Sequence, residues 1–144
     1  TVIDICEDHI EGLRKLIGKE NTYATYQKYK TAKNHFKKFL QKYYRVNDIS
    51  IKAINYQMIQ QYNMFLKTEM GSGYNTATKF LQYLKRITCI GIRSGWLIKD
   101  PFDGISLSIK EVDRPYLTME EIQRLIDHKS SFDRLNKVRD FFIF

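Results

Sequence analysis

Proline, cysteine and tryptophan are scarce in this chain of 144 residues, at two, two and one. The prolines are Pro101 and Pro115, so nothing upstream of them forbids a long helix. Cys6 and Cys89 each lie inside an apolar helical pattern and read as buried free thiols of a reducing cytoplasm, not as a disulfide. Runs of alternating polarity are missing, which leaves no material for a sheet. No apolar stretch has spanning length, and TVIDICEDHIEGL lacks the basic start of a signal peptide, so no membrane partner is expected. Ligand motifs are equally absent. Gly71 and Gly73 precede a helix without the lysine pattern of a phosphate loop, Cys6 and His9 stand three apart with no second pair, and His35 and His128 are isolated. No metal, cofactor or small-molecule ligand is expected.

Acidic residues are lacking in one region in particular. Between residues 22 and 97 thirteen Lys and Arg face only Asp48 and Glu69, a net +11, whereas the chain as a whole carries +8. Residues 1–21 and 98–112 are slightly acidic, and 113–144 balance. A positive charge concentrated in this way favours a polyanion as partner.

What is present is helical periodicity. Ile3, Cys6, Ile10, Leu13 and Ile17 repeat at three- and four-residue spacing up to GKEN. Tyr29, Ala32, Phe36, Phe39 and Tyr43 do the same within TYATYQKYKTAKNHFKKFLQKYY, a helix of about six turns. A third helix is expected from Asn55 to Met70 with Ile59, Tyr62, Phe65 and Leu66 inward. A fourth starts near Tyr74 with Ala77, Leu81, Leu84, Thr88 and Gly91 on its inner side and Gly95 as C-cap. The fold class is therefore all-α, a bundle of four or more helices. After SLSIKEVDRP, Thr118 and Glu121 form a capping box for a new helix, with Leu117 and Ile122 as its staple. The expected division is a helical unit over 1–110, a linker over 111–115 and a second unit over 116–144.

The cations fall into rows on these helices. Lys30, Lys33 and Lys37, with Tyr26, line one side of the second helix. Lys79, Arg86 and Arg93 are spaced by seven on the fourth and are joined by Asn75 and Gln82, opposite its apolar side. Lysine and arginine neutralise phosphates, and Asn, Gln and Tyr can position on the backbone or read base edges. Double-stranded DNA is thus the expected partner and these nine residues the expected contacts.

In order and spacing, TYATYQKYKTAKNHFKKFL (22–40), GYNTATKFLQYLKRI (73–87), GWLIKDPF (95–102) and YLTMEEIQRL leading to VRDFFIF (116–144) resemble the tyrosine recombinases, or phage-type integrases. The likeness is greatest to the SAM-like core-binding domain of Bacteroides-type integrases. Asp100 stands where the family has Asn in its Gly-x-Ile-x-x-Asn-Pro-Phe turn, and Ile90, Gly91 and Ile92 replace an Ala-rich run. The resemblance implies a DNA clamp whose helical half is residues 1–110, with 116–144 the truncated start of the catalytic half. It also implies metal-free site-specific recombination or integration through a 3′-phosphotyrosine. The family's catalytic Arg, Lys, His and Tyr would all lie beyond residue 144, so no residue here is expected to be catalytic, and Arg139 is read as an ion-pair partner of Asp140 or of a neighbouring helix.

The termini fit that reading. The chain opens at Thr1 without a Met and ends on Phe-Phe-Ile-Phe, as a piece of a longer polypeptide would. Leu135, Val138, Phe141, Phe142 and Phe144 then offer an apolar surface for self-association. Two other readings of the residues stay open: a stand-alone helical DNA-binding regulator, and a helical module that meets an acidic protein.

Overall fold

The computed structural model describes residues 1–113 and 115–143. Its helices are α1 (Val2–Lys15), α2 (Tyr23–Tyr44), α3 (Tyr56–Thr68), α4 (Tyr74–Arg93), α5 (Met119–Asp127) and α6 (Asp133–Ile143), with a 3-10 turn at Ile51–Ala53 before α3. No strand occurs among the described residues, and Ile17 and Asn21 form an isolated bridge. The chain divides into two compact units, Thr1–Lys110 and a second beginning at Glu111.

Local chemistry sets the helix ends of the first unit. Thr1 and Asp4 form a capping box on α1, and Asp48 reaches back from the α2–α3 loop to accept the Ile3 N–H at 3.0 Å. A carboxylate is favoured there because the first turn of a helix presents unpaired N–H groups. Thr22 caps α2 through the Thr25 N–H, and Asn55 caps α3 through the Met58 N–H. At the far end of α4, Gly95 has φ +74°, its N–H bonds to Ile92 O at 3.0 Å, and the Trp96 N–H bonds to Gly91 O at 2.8 Å. That pair of bonds is a Schellman motif, and a residue without Cβ suits its left-handed position.

The core is where α2, α3 and α4 present their inner faces to each other, with α1 and Phe102 closing it. Phe36, Phe39, Leu40, Ile59, Tyr62, Phe65, Leu66, Ala77, Leu81, Leu84, Ile87 and Thr88 are all buried, as the periodicity indicates. Gly91 is buried where a Cβ would collide with the Ile51 side chain, so a residue without Cβ lets α4 pass over the 3-10 turn.

Three expectations need correction. α1 stops at Lys15, because Leu16 O accepts the N–H groups of Lys19, Glu20 and Asn21 in a tight turn that takes Ile17 off the helix. The third helix is Tyr56–Thr68, shorter at both ends than the pattern suggests. Tyr43 is 45% exposed: its ring leans on Phe39 and Phe65, but its hydroxyl donates to Glu69 Oε1 at 2.8 Å and keeps the edge at the surface.

In the second unit, Thr118 and Glu121 exchange the two capping-box bonds, and Arg139 donates through both Nε and Nη2 to Asp140 Oδ1 and through Nη1 to His128 O. Leu117, Leu125, Leu135, Val138, Phe142 and Ile143 line an apolar groove between α5 and α6, and Phe141 is 90% exposed. Phe144 lies outside the described residues.

Two histidines are built into the first unit. His9 packs edge-on against Tyr29 at 4.9 Å and His35 against Phe80 at 4.7 Å, and each has one buried ring nitrogen without a hydrogen-bond partner. Burial holds both imidazoles below their usual protonation range, with Arg86 adding to the effect at His9 and Lys38 at His35. The unfolded chain therefore binds protons more readily than the fold does. Their contribution to stability is complete above the ordinary imidazole value of 6.5 and is lost as pH falls from there toward the depressed folded values. The urea midpoint should fall between pH 7.5 and 5.5, and less steeply in a His9→Gln/His35→Gln variant; parallel slopes would show that other groups dominate.

Candidate nucleic-acid interface

The inner faces of α2 and α4 fix which side chains point out. On α2, burial of Ala32, Phe36 and Phe39 turns Lys30, Lys37 and Lys38 to solvent. On α4, burial of Ala77, Leu81, Leu84 and Thr88 leaves Lys79, Gln82, Arg86 and Arg93 exposed on the opposite side. At about 1.5 Å per residue both helices are roughly 30 Å long, close to one turn of duplex DNA.

The nine expected contacts do not all have the same surroundings. Lys30, Lys37, Lys79, Arg86 and Arg93 are exposed and make no ion pair among the described residues. Lys33 turns toward α1, where its ammonium lies 2.8 Å from Glu7 Oε1 and only 19% of its side chain is exposed. Tyr26 is half-buried, its ring 5.8 Å from that of Tyr23. Asn75 and Gln82 are bonded to backbone within the same unit: Asn75 to both the N–H and the carbonyl of Lys110, and Gln82 to the carbonyl of Leu107.

Between α2 and α4 runs a groove of about 270 Å³ lined by Gln27, Lys28, Thr31, Thr76, Lys79, Phe80 and Tyr83. It continues along α2 as a polar groove of about 340 Å³ lined by Thr31, Asn34, His35, Lys37, Lys38 and Gln41. Lys28, Lys38, Thr31 and Thr76 thus share a surface with Lys79, although the sequence rows omit them. The rows follow three-, four- and seven-residue spacings on single helices, and no such spacing shows which flank of α2 faces α4. The long acid-free run is the signal that could have included Lys28 and Lys38.

The few acidic groups nearby are engaged or lie to one side. Glu69 accepts from Lys42 at 2.6 Å and Tyr43 at 2.8 Å, and these bonds hold its carboxyl below the usual range. Asp4, Glu7, Asp8 and Glu11 are exposed along α1. The first unit is therefore basic along α2 and α4 and acidic on the α1 flank.

Four tyrosines of this unit, Tyr29, Tyr43, Tyr62 and Tyr83, are poorly suited to attack. Burial raises Tyr62, Tyr29 and Tyr83 above the ordinary phenol range, and the hydrogen bond to Glu69 raises Tyr43. A phenol acting as nucleophile needs the opposite shift.

The family model of the phage integrase SAM-like domain matches residues 1–112. The chain belongs to that family, the all-α core-binding domain of tyrosine recombinases. Neither the curated proteins nor the solved structures contain a significant match.

Proposed function

We propose that the first unit binds duplex DNA through the outer faces of α2 and α4, as the core-binding half of a tyrosine recombinase that cuts and rejoins DNA through a 3′-phosphotyrosine. The observation that carries this reading is the set of exposed cations around the α2–α4 groove that make no ion pair among the described residues: Lys28, Lys30, Lys37, Lys38, Lys79, Arg86 and Arg93. They supply phosphate neutralisation, and Gln27, Thr31, Thr76 and Tyr26 lie among them as polar contacts. On this reading Asn75, Gln82 and Lys33 hold backbone and α1 in place and are not themselves contacts to DNA. Residues 111–115 then serve as the interdomain linker and 116–144 as the opening of the catalytic domain. The exposed apolar face of α5 and α6 is assigned to packing against the rest of that domain or against a second copy of this chain.

If about 4–6 phosphates are neutralised, log K falls against log salt with a slope of about −4 to −5. Lys79→Glu/Arg86→Glu should abolish binding in gel shifts while leaving the helical circular dichroism intact. Unchanged binding would move the interface off α4, and no shift of duplex DNA at low salt would favour an acidic protein partner over DNA.

The catalytic proposal has its own test. Incubated with a nicked suicide substrate and no added metal, residues 1–144 should yield no DNA adduct that survives denaturant, because the proposed reading assigns the nucleophile and its cationic partners to other residues of the recombinase. An adduct would make one of these tyrosines a nucleophile.

A further inference from the structure

The chain after Phe102 returns along α4 and is held there. Phe102 anchors it, 1% exposed, with its N–H bonded to Asp100 Oδ1 at 2.9 Å, and Ile105 and Leu107 pack against the core. Gln82 Nε2 donates to Leu107 O at 2.8 Å. Asn75 Nδ2 donates to Lys110 O at 2.8 Å, and Asn75 Oδ1 accepts the Lys110 N–H at 2.8 Å. The Asn75 amide thus takes the place that a neighbouring peptide group would fill in a strand pair. Lys110 Nζ completes the attachment, 4.4 Å from the centre of the Tyr74 ring.

The two attachment points are in register. Leu107 pairs with Gln82 and Lys110 with Asn75, so the segment runs antiparallel to α4. Seven helical residues rise about 10.5 Å, and three extended residues span about 10 Å, so both points are reached without distortion. Each amide is also followed four residues later by a cation of the outer ridge, Asn75 by Lys79 and Gln82 by Arg86. The amides grip the returning chain while the cations one turn on remain free.

We infer that Asn75 and Gln82 are positioning residues, locking segment 105–110 onto α4 and so fixing where the chain leaves the DNA-binding unit. The inference rests on the proposed DNA reading for its purpose: the ridge that meets DNA and the departure point at Lys110 become parts of one rigid piece. DNA engaged by Lys79 and Arg86 then sets the place from which the following unit starts.

The test uses the full chain of 144 residues with Asn75→Ala/Gln82→Ala, followed by amide exchange and relaxation in NMR and by DNA binding across a salt series. Loss of the bonds should speed exchange of the Lys110 amide about ten-fold and drop the order parameters of residues 105–110 below about 0.6, with the α4 core amides as the internal control for folding. DNA affinity and salt slope should stay within about two-fold of the parent. Asn75→Asp, which keeps the acceptor for the Lys110 N–H, should restore protection of that amide. Unchanged Lys110 exchange in the double Ala variant overturns the lock. A ten-fold loss of affinity at an unchanged salt slope overturns the assignment to positioning, because it makes the amides DNA contacts. If the parent chain binds no DNA at all, the proposed function fails while the exchange result still decides the lock.

Discussion

The ring of Phe39 has no exposed surface, and five other aromatic rings, those of Phe36, Tyr43, Tyr44, Tyr62 and Phe65, surround it at 5.2 to 6.0 Å. This contact between α2 and α3 decides the rotation of α2 about its own axis. A helix advances 100° per residue, so a slip of one position would turn Lys30, Lys37 and Lys38 a quarter turn or more away from their present face. Four of these ring pairs are tilted and one is edge-on, and such a slip would pull them out of contact. α4 in turn packs on α3 and α2, and segment 105–110 packs on α4, so each layer inherits its orientation from the aromatic cluster.

The electrostatics follow from that orientation more than from any single pair. Exposed ion pairs such as Arg14–Glu11 contribute little to stability, being solvated and screened. Their effect on the surface is larger. With Glu69 bonded to Lys42 and Tyr43, and Glu7 bonded to Lys33, the acids nearest α2 cancel cations that lie away from the α2–α4 groove. The groove keeps its positive field, and on the DNA reading that field governs encounter rate and salt dependence.

Periodicity made the core legible because burial imposes it directly: Ala77, Leu81, Leu84, Thr88 and Gly91 could face inward only on a helix, and Thr118 with Glu121 has one economical meaning. Features that depend on a neighbour remote in sequence were not legible. The partners of Asn75 and Gln82 lie 35 and 25 residues away in an extended segment with no pattern of its own. Lys33 differs from Lys30 and Lys37 only through Glu7 on α1, and Tyr43 sits at a core spacing but is drawn outward by Glu69. The side of α2 that adjoins α4 is likewise a property of packing, which is why Lys28 and Lys38 enter only with the fold.

The engagement of the two amides bears on where sequence readout could reside. Asparagine and glutamine read adenine through paired donor and acceptor bonds. The Asn75 amide already makes such a pair with the Lys110 backbone. Turning it to a base would exchange two bonds for two others and leave a peptide group to be solvated, with no net gain in hydrogen bonding. On the proposed DNA reading, readout by α4 is therefore better served by side chains not held by backbone, and Thr76 and Tyr83 are uncharged polar residues of α4 that line the groove shared with α2. Gln27, Thr31 and Asn34 are their counterparts on α2, although the Gln27 amide nitrogen also donates to the Tyr23 hydroxyl. The bonded amides keep α4 and the returning chain together, and on the proposed DNA reading discrimination between bases would fall to the polar side chains between the lysines.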